Sequence, residues 1–425
     1  MAGQADLVVI GGGPAGAVSA WLAARDGARV VLVDPDRAPA RVEGLSPRLL
    51  DWLHRSGLPC PPEVPLVRVS RRSLWSGTAH EGNREILVAR PAFDRHLRDC
   101  ARSAGAGIVT GTATPLPGGA LLDTGRRIEA ALVIDARGRR GSRRDGLRRG
   151  PPSVAIGGWL DGPADTPAQS AVVPFDEGWL WFACLGGGRA WVQATLDAGT
   201  SARPPRDRLA HALGCCVGLL PPGFRLADAA PVVRECAPLL SAVPDDLSVI
   251  PVGDAAAAMD PLSGHGMFWA VSSAIAAAVR RSLADDPGGR MLARRFLSQR
   301  GEDVFLRQAR IGRDFIRAEA GRAALPFWQA RAGFPDDEAA HGAVAGMSVR
   351  RQVVVQDGRL AELDVLVSAR SPGGVAWFRD LPAAELWRAH AEGADDARLR
   401  QRFGPGAAGF PDWLAQQAVA GSGAL

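Results

Sequence analysis

Four short apolar runs stand out along the chain, at residues 6–10, 29–33, 131–134 and 247–252. Runs of this length without alternating polar positions are typical of parallel strands that are buried on both faces. Residues 17–26, between the first two runs, show helical periodicity. The pattern predicts a strand–helix–strand unit at the start of the chain and further buried strands later.

The middle of the chain has a different pattern. Between residues 151 and 244, the short runs 154–160, 170–175, 178–185 and 189–196 are separated by Gly and Asp turns, which predicts an antiparallel meander. Trp179 and Trp181 are two positions apart, so we expect them to share one face of a strand. Two interpretations stay open for these tryptophans: core packing, or the lining of a pocket for an aromatic ligand.

Towards the end of the chain, residues 267–283 read as one helix, and residues 352–368 read as a hairpin that turns at Asp357-Gly358. Short helices are predicted around residues 383–392, 395–403 and 411–420. A hairpin with small helices is winged-helix-like, but this segment shows no concentration of arginine. We therefore expect a partner-docking or structural cap rather than a nucleic-acid-binding module.

Composition removes several kinds of chemistry. The chain has no tyrosine, and its 50 basic residues are all arginine. The absence of lysine excludes a Schiff-base lysine and a P-loop lysine. The six cysteines form no CxxC pair, and no zinc-ligand spacing occurs. No signal peptide is recognisable, and the apolar helical stretch at residues 266–279 is too short for a membrane span. These features predict a reduced, cytoplasmic protein without a metal site.

The first strand leads into a glycine motif that is suited to a dinucleotide. Gly11 allows a tight turn, Gly13 lets the backbone approach a pyrophosphate, and Gly16 lets the helix pack closely on the strand. Pro14 and Ala15 complete the start of the helix, whose free N–H groups favour an anion. Asp34 ends the second strand, 23 positions after Gly11, where it can accept hydrogen bonds from an adenosine ribose.

A second glycine-containing segment distinguishes FAD from NAD. After the strand at 247–252 come Gly253-Asp254-Ala255 and then Asp260-Pro261-Leu262-Ser263-Gly264-His265-Gly266. Asp254, at a strand end, is placed to bind ribityl hydroxyls. The residues from Pro261 through Gly264 and Gly266 to Met267 can bring backbone N–H groups to the pyrimidine edge of a flavin. A simple NAD enzyme has no use for this second site, so we predict bound, non-covalent FAD.

With these elements in order, residues 1 to about 320 resemble the FAD-dependent oxidoreductases of the glutathione-reductase type, in the subgroup of aromatic hydroxylases, geranylgeranyl reductases and halogenases. The resemblance implies a Rossmann-like FAD domain, an inserted, mostly antiparallel β-sheet substrate domain and a small C-terminal α+β domain. It also implies that Arg90 reaches FAD from a neighbouring helix. We predict the FAD domain at 1–60, 85–150 and 245–325, the substrate domain at 61–84 and 151–244, and the last domain at 326–425.

Three segments narrow the resemblance: residues 41–47, residues 253–255 together with 260–266, and residues 307–315. With the small last domain, they are similar to the flavoproteins that mature tryptophan-derived quinone cofactors. This implies hydroxylation of a tryptophan in the small subunit of a quinohemoprotein amine dehydrogenase, through a C4a-hydroperoxyflavin formed from NAD(P)H-reduced FAD and oxygen. Alternatives are an isoprenoid reductase-like enzyme acting on a small hydrophobic molecule and a non-catalytic flavoprotein assembly factor. Halogenation is disfavoured because the chain has no lysine.

Two ionisable side chains are the candidate catalytic groups. His265 lies in the loop that the family lays along the flavin ring, where it could donate a proton to the oxygen donor or to a ring hydroxyl. Glu43 could accept the proton that is lost on rearomatisation. Arginines between Arg137 and Arg149, with only Asp145 to balance them, are expected to attract NAD(P)H or an acidic protein surface. We expect no nucleic-acid partner.

Overall fold

The structure is a computed structural model that describes residues 4–37, 40–59, 66–142, 147–199, 202–274, 276–285, 287–340, 346–371 and 373–418. The strands are β1 Ala5–Ile10, β2 Val30–Asp34, β3 Val42–Leu45, β4 Val67–Ser73, β5 His80–Ala89, β6 Gly107–Thr110, β7 Ala113–Leu116, β8 Gly119–Leu122, β9 Arg127–Asp135, β10 Arg148–Arg149, β11 Ser153–Asp161, β12 Gln169–Phe175, β13 Gly178–Gly186, β14 Arg189–Asp197, β15 Arg225–Leu226, β16 Val232–Glu235, β17 Leu239–Leu240, β18 Ile250–Pro251, β19 Ala257–Ala258, β20 Ser348–Gln356, β21 Arg359–Val367, β22 Trp377–Phe378 and β23 Leu381–Pro382.

The α-helices are α1 Pro14–Arg25, α2 Pro47–Arg55, α3 Arg90–Ser103, α4 Pro205–Cys215, α5 Gly266–Ser272, α6 Ala276–Asp285, α7 Pro287–Ala318, α8 Pro326–Arg331, α9 Ala383–Ala391, α10 Asp396–Phe403 and α11 Phe410–Ala418. Within the described ranges, no helix has the length and apolar character that crossing a membrane requires.

A seven-stranded sheet carries the dinucleotide-binding fold, in the order β6-β2-β1-β9-β8-β7, with β18 also paired to β9. The pairs β6–β2, β2–β1, β1–β9 and β9–β18 are all parallel. Their carboxyl ends therefore meet at one edge, where ligands bind in sheets of this kind. Apolar side chains of β1, β2 and β9 form a core cluster in this sheet, because these strands are buried on both faces. The predicted Rossmann-like domain is confirmed.

A nine-stranded sheet supplies the β part of the fold, in the order β15-β11-β14-β13-β12-β4-β5-β3, with β16 also paired to β11. All its pairs are antiparallel except β12–β4. One face is covered by α4, whose Leu209 and Ala212 pack against apolar side chains of β11 to β14. The predicted antiparallel meander is confirmed over β11 to β14.

The chain divides into two compact units. The first comprises Met1–Ala277 and Val304–Asp337, and the second comprises Ala278–Asp303 and Glu338–Leu425. The second unit contains the predicted hairpin, β20–β21, and the short helices α9 to α11 around a core that includes Leu386, Leu399 and Phe410. These elements confirm the predicted small α+β segment at the end of the chain. The three-domain division stays a prediction.

Two of the predicted elements are wrong in extent. The single helix predicted over residues 267–283 is two helices, because α5 ends at Ser272 and α6 begins at Ala276. The strand predicted over 247–252 is only the pair Ile250–Pro251, since Leu247 has a positive φ of 51°, which interrupts extended backbone. Apolar composition marked these segments as buried, but it carried no signal for where each hydrogen-bonded element begins.

Candidate functional site

The first glycine motif forms a close turn between β1 and α1. Gly11 has φ 105°, and a Cβ there would overlap the carbonyl oxygen of Ala136. A Cβ on Gly16 would overlap the Gly11 carbonyl, so both positions exclude a side chain. Gly13 differs, since a Cβ there would meet nothing within 4 Å. Its backbone therefore borders open space at the N-terminus of α1, which carries no side-chain cap.

Asp34 lies directly beside this turn. Its Oδ2 accepts a hydrogen bond of 2.6 Å from the Gly12 N–H, and its Oδ1 accepts one from Asp36 N–H. The carboxylate is therefore fixed at the carboxyl end of β2, next to the glycine turn that leads into α1. An adenosine diphosphate moiety requires a helix N-terminus that binds phosphate and, beside it, an oriented carboxylate that binds the ribose. The residues present therefore fit the ADP half of FAD.

Sequence reasoning missed Arg98 in this part of the site. Arg98, on α3, is buried, and its Nη1 donates to the Gly12 carbonyl at 3.3 Å while its guanidinium pairs with Asp36 and approaches Asp34 at 3.7 Å. It ties α3 to the glycine turn and balances the two acids. The one available signal was the position of Arg98 in the helix after Arg90, because the spacing of eight residues repeats a helical face.

The second glycine segment lies against the first. Gly253 has φ 58°, and a Cβ there would lie 2.7 Å from the Cβ of Ala15 on α1. The turn is held by Ser273, whose Oγ accepts from Gly253 N–H at 2.9 Å, and by Trp269, whose Nε1 donates to the Gly253 carbonyl at 3.1 Å. Asp254 is therefore brought to the same sheet edge as the α1 N-terminus, as the sequence predicted for a flavin that spans both segments.

Arg90 and Glu43 meet in a charge cluster in which Arg41, Arg90 and Asp94 are buried, Glu43 is half-buried and Arg234 is exposed. Glu43 Oε1 accepts from Arg90 Nη1 and Arg41 Nε at 3.1 Å each, and Arg234 lies 3.8 Å away. Arg90 also forms a two-pronged pair with Asp94, at 3.0 and 3.1 Å. We call Arg41, Glu43, Arg90, Asp94 and Arg234 the arginine cage.

Burial sets the charge state of the cage. Burial alone raises the pKa of Glu43, but Arg90, Arg234 and Arg41 together lower it below its ordinary value. Burial and the neighbouring arginines lower the pKa of Arg41 to about 10. Burial also acts to lower the pKa of Arg90, yet Asp94, Glu43 and Asp254 raise it overall. The carboxylate of Asp254 thus contributes to keeping the Arg90 guanidinium charged.

The loop before α5 presents His265. Asp260 caps a 3-10 turn, Pro261–Ser263, by accepting from Leu262 N–H at 2.8 Å, and Gly264 follows with φ 65°. His265 Nδ1 lies 2.6 Å from the Ser263 carbonyl oxygen. Burial lowers the pKa of His265, and the charges of Arg307 and Arg48 lower it further. The hydrogen bond to Ser263 acts in the opposite direction, but the net effect is a pKa below the ordinary value. In the neutral ring, the nitrogen that faces a carbonyl must carry the proton, so Nε2 is an acceptor.

This geometry changes the roles expected of the two candidate catalytic residues. A neutral His265 that donates from Nδ1 to Ser263 has an acceptor at Nε2, so a donating role would need a second proton. Glu43 is an ion-pair partner of three arginines, and its lowered pKa makes it a weak proton acceptor. Their participation in the reaction stays a prediction.

The arginines between Arg137 and Arg149 are more fully paired than the sequence indicated. Arg137 pairs with Asp135 at 2.7 Å, and Arg149 pairs with Glu235 at 3.0 Å. Arg139 donates to the carbonyl of Ala237. Arg143, Arg144 and Asp145 lie outside the described residues. The expectation that only Asp145 balances this segment is wrong, because Asp135, just before it in sequence, and Glu235, distant in sequence, both pair with its arginines.

Comparisons with known proteins place the chain among flavin-dependent enzymes. Residues 6–91 match the family of FAD dependent oxidoreductases. A digeranylgeranylglycerophospholipid reductase of Methanoculleus marisnigri is 31% identical over 300 residues, which cover 62% of this chain and 72% of that protein. The fold also resembles CmlS, a flavin-dependent halogenase, with 18% identity, a TM-score of 0.70 and coverage of 95% and 93% of the two chains.

The chain belongs to the FAD-dependent oxidoreductases. Within them, it is similar along its length to QhpG, a peptidyl tryptophan dihydroxylase essential for tryptophylquinone cofactor biogenesis. The identity is 34%, the TM-score is 0.78, and the match covers 98% of this chain and 100% of QhpG. The resemblance noted from the sequence motifs is thereby confirmed.

Proposed function

We propose that this flavoprotein hydroxylates a tryptophan side chain in a partner protein during biogenesis of a tryptophan-derived quinone cofactor. The observation that carries the proposal is the full-length similarity to QhpG, at 34% identity. The proposed protein substrate is the small subunit of a quinohemoprotein amine dehydrogenase type enzyme. The described cysteines are all free thiols, which fits work in the cytoplasm before the partner is assembled.

The residues of the first unit divide the binding of FAD among them. Gly11, Gly13, Pro14, Ala15 and Gly16 would hold the pyrophosphate at the start of α1, and Asp34 would accept from the ribose. Arg90 and Asp254 would bind the middle of the cofactor, with Asp254 accepting from the ribityl hydroxyls. Pro261, Gly264, Gly266 and Met267 would border the ring. When bound, FAD would supply the redox chemistry that joins oxidation of NADH or NADPH to activation of oxygen.

The protein side chains order the site and manage protons. The arginine cage fixes β3 against α3 through the ion pair of Glu43 with Arg90. His265, in the loop before α5, offers Nε2 as an acceptor. The face of the nine-stranded sheet opposite α4 carries tryptophans and Glu85, and of these Trp179 and Trp191 are packed in the core, whereas Trp159 and Trp181 are partly buried.

A second candidate is reduction of an isoprenoid double bond, which is favoured by the similarity to the digeranylgeranylglycerophospholipid reductase. The two reactions differ in their use of oxygen. Oxygen consumption should be measured together with product mass, with the partner subunit and NADH or NADPH supplied. Hydroxylation predicts oxygen uptake that matches a mass gain of one or two oxygen atoms on the partner. Anaerobic turnover with a gain of two hydrogens on a lipid would favour the reductase, and binding without turnover would favour an assembly factor.

A further inference from the structure

The face of the nine-stranded sheet that lies opposite α4 is rich in tryptophan. Trp191 lies opposite Trp159 on one side and opposite Ala183 on the other. Directly opposed residues share a face of the sheet, and so do residues two positions apart. Trp181 and Trp179 therefore lie on the same face as Trp191. We call the four residues Trp159, Trp179, Trp181 and Trp191 the tryptophan face.

Glu85 on β5 is the acid of this face. Its side chain is buried, with the residue 9% exposed, and its Oε1 accepts a hydrogen bond of 3.3 Å from the indole Nε1 of Trp181. A Cβ on Gly44 would overlap Glu85 Oε2 and would lie 3.5 Å from Trp181 Cζ2. Position 44 must therefore stay small for the carboxylate and the indole to fit. Gly44 directly follows Glu43, so Glu85 adjoins the arginine cage.

The two acids have opposite surroundings. Glu43 is paired with three arginines, whereas no arginine of the described ranges lies within ion-pair distance of Glu85. No group within the described ranges donates a hydrogen bond to Glu85 Oε2. An ionised carboxylate has about four acceptor positions, and burial of one that is incompletely bonded is costly. Glu85 therefore has capacity for another donor.

We propose that Glu85 accepts a hydrogen bond from the indole N–H of the substrate tryptophan and acts as the proton acceptor during hydroxylation. The inference rests on the proposed function. It follows from the contact that Glu85 already makes, because its Oε1 binds the indole N–H of Trp181 and its Oε2 is available for a second one. Trp181 orients the carboxylate and stays bound to it.

The proton and electron transfers balance as follows. The ring π electrons form the new C–O bond while the O–O bond breaks, and the indole N–H proton passes to Glu85 so that no cation accumulates on nitrogen. The ring carbon then loses its own proton to water, aromaticity returns, and Glu85 gives its proton back to nitrogen. The net change is C–H to C–OH. The second oxygen atom leaves as water, and NADH or NADPH supplies the two electrons.

The kinetic test uses Glu85→Gln in the FAD-loaded protein with the partner subunit. Glutamine can accept the indole N–H but cannot take its proton. We expect tryptophan hydroxylation to slow by about 100-fold or more, as for loss of a general base. Flavin reduction should be unchanged. Glu81→Gln is the matched control, because Glu81 is an exposed acid on the same strand. A Glu85→Gln rate equal to wild type would overturn the proposal.

A binding test needs no turnover. The dissociation constant of the partner is measured without oxygen or nicotinamide, for wild type and Glu85→Ala, with the target tryptophan intact or replaced by phenylalanine. We expect Glu85→Ala to weaken binding of the intact partner about tenfold and to leave the phenylalanine partner unchanged. Equal weakening of both partners would contradict a contact with the indole. If the wild-type protein modifies no tryptophan at all, the proposed function itself fails. If the wild-type protein hydroxylates tryptophan and the Glu85 variants behave like it, only the role of Glu85 fails.

Discussion

Gly13 illustrates how one residue can serve a ligand instead of the fold. A Cβ is excluded by backbone atoms at Gly11 and Gly16, so those glycines are needed by the protein itself. At Gly13 the space is open, and its extended φ of −69° is accessible to any residue. The proposed approach of the FAD pyrophosphate would account for the absence of a side chain there.

Gly13→Val should therefore fold and yet lose FAD. We expect near-complete loss of flavin absorbance in the purified protein, because the valine side chain occupies the space that the phosphates need. Gly214→Val is the matched control, since a Cβ at Gly214 also meets nothing within 4 Å. Full flavin content in the Gly13 variant would mean that the phosphates lie elsewhere.

His265 shows how a local hydrogen bond defines a chemical role. With its Nδ1 proton held by Ser263, the neutral ring accepts at Nε2. His265→Ala should slow product formation at least tenfold more than NAD(P)H-driven flavin reduction, measured separately by stopped-flow absorbance and by product mass. His390→Ala is the control, because His390 Nδ1 also faces a carbonyl, that of Ala394 at 2.9 Å. If His265→Ala slows flavin reduction and product formation equally, His265 has no specific role in the steps that follow flavin reduction.

At the scale of elements, the arginine cage joins β3, α3 and β16 around one carboxylate. Removing the Glu43 charge leaves three guanidinium groups close together, so Glu43→Gln should lower the free energy of unfolding by about 3 kcal/mol or more. Glu235→Gln, which breaks the exposed pair with Arg149, should cost about 1 kcal/mol or less. Chemical denaturation of both variants measures the difference. If Glu43→Gln lowers the free energy of unfolding as little as Glu235→Gln does, the arginine cage does not stabilise the fold as described.

The pH dependence of stability has a defined sign. Because the folded pKa of Glu43 is lowered from the ordinary 4.5, its stabilising effect is complete above that pH and is lost as pH falls through the folded value. The gap in stability between wild type and Glu43→Gln should therefore narrow in acid. A gap that stays constant between neutral pH and pH values well below 4 would show that Glu43 does not titrate in this way.

The sequence predicted the elements whose signals are local. The spacing from Gly11 to Asp34 defines a strand, turn, helix and strand in one short segment, and the structure has them in those places. The arginine cage was only partly predictable, because Arg234 reaches Glu43 through the pairing of β16 with β11 and not through proximity in the chain. Glu85 was missed for the same reason. Its partner Trp181 lies 96 positions away.

At the scale of the whole molecule, the first unit carries two sets of residues with separate proposed roles. The edge of the parallel sheet carries the residues that fit FAD, and the tryptophan face carries an acid suited to an indole. The lack of lysine removes the residue type on which halogenation chemistry depends in similar folds, and the similarity to the halogenase CmlS concerns the fold alone. This combination explains why hydroxylation of an aromatic side chain fits the chain best.

The most direct measurement is the transfer of labelled oxygen to the partner. The FAD-loaded protein, NADH or NADPH, oxygen-18 gas and the partner subunit are incubated, and the partner is digested and sequenced by mass spectrometry. We expect one or two labelled oxygen atoms on a single tryptophan of the partner, with none added when NAD(P)H is omitted. Free tryptophan under the same conditions should stay unmodified. A partner that gains no label while the flavin is fully reduced and reoxidised, or label that appears equally on free tryptophan, would contradict the central claim.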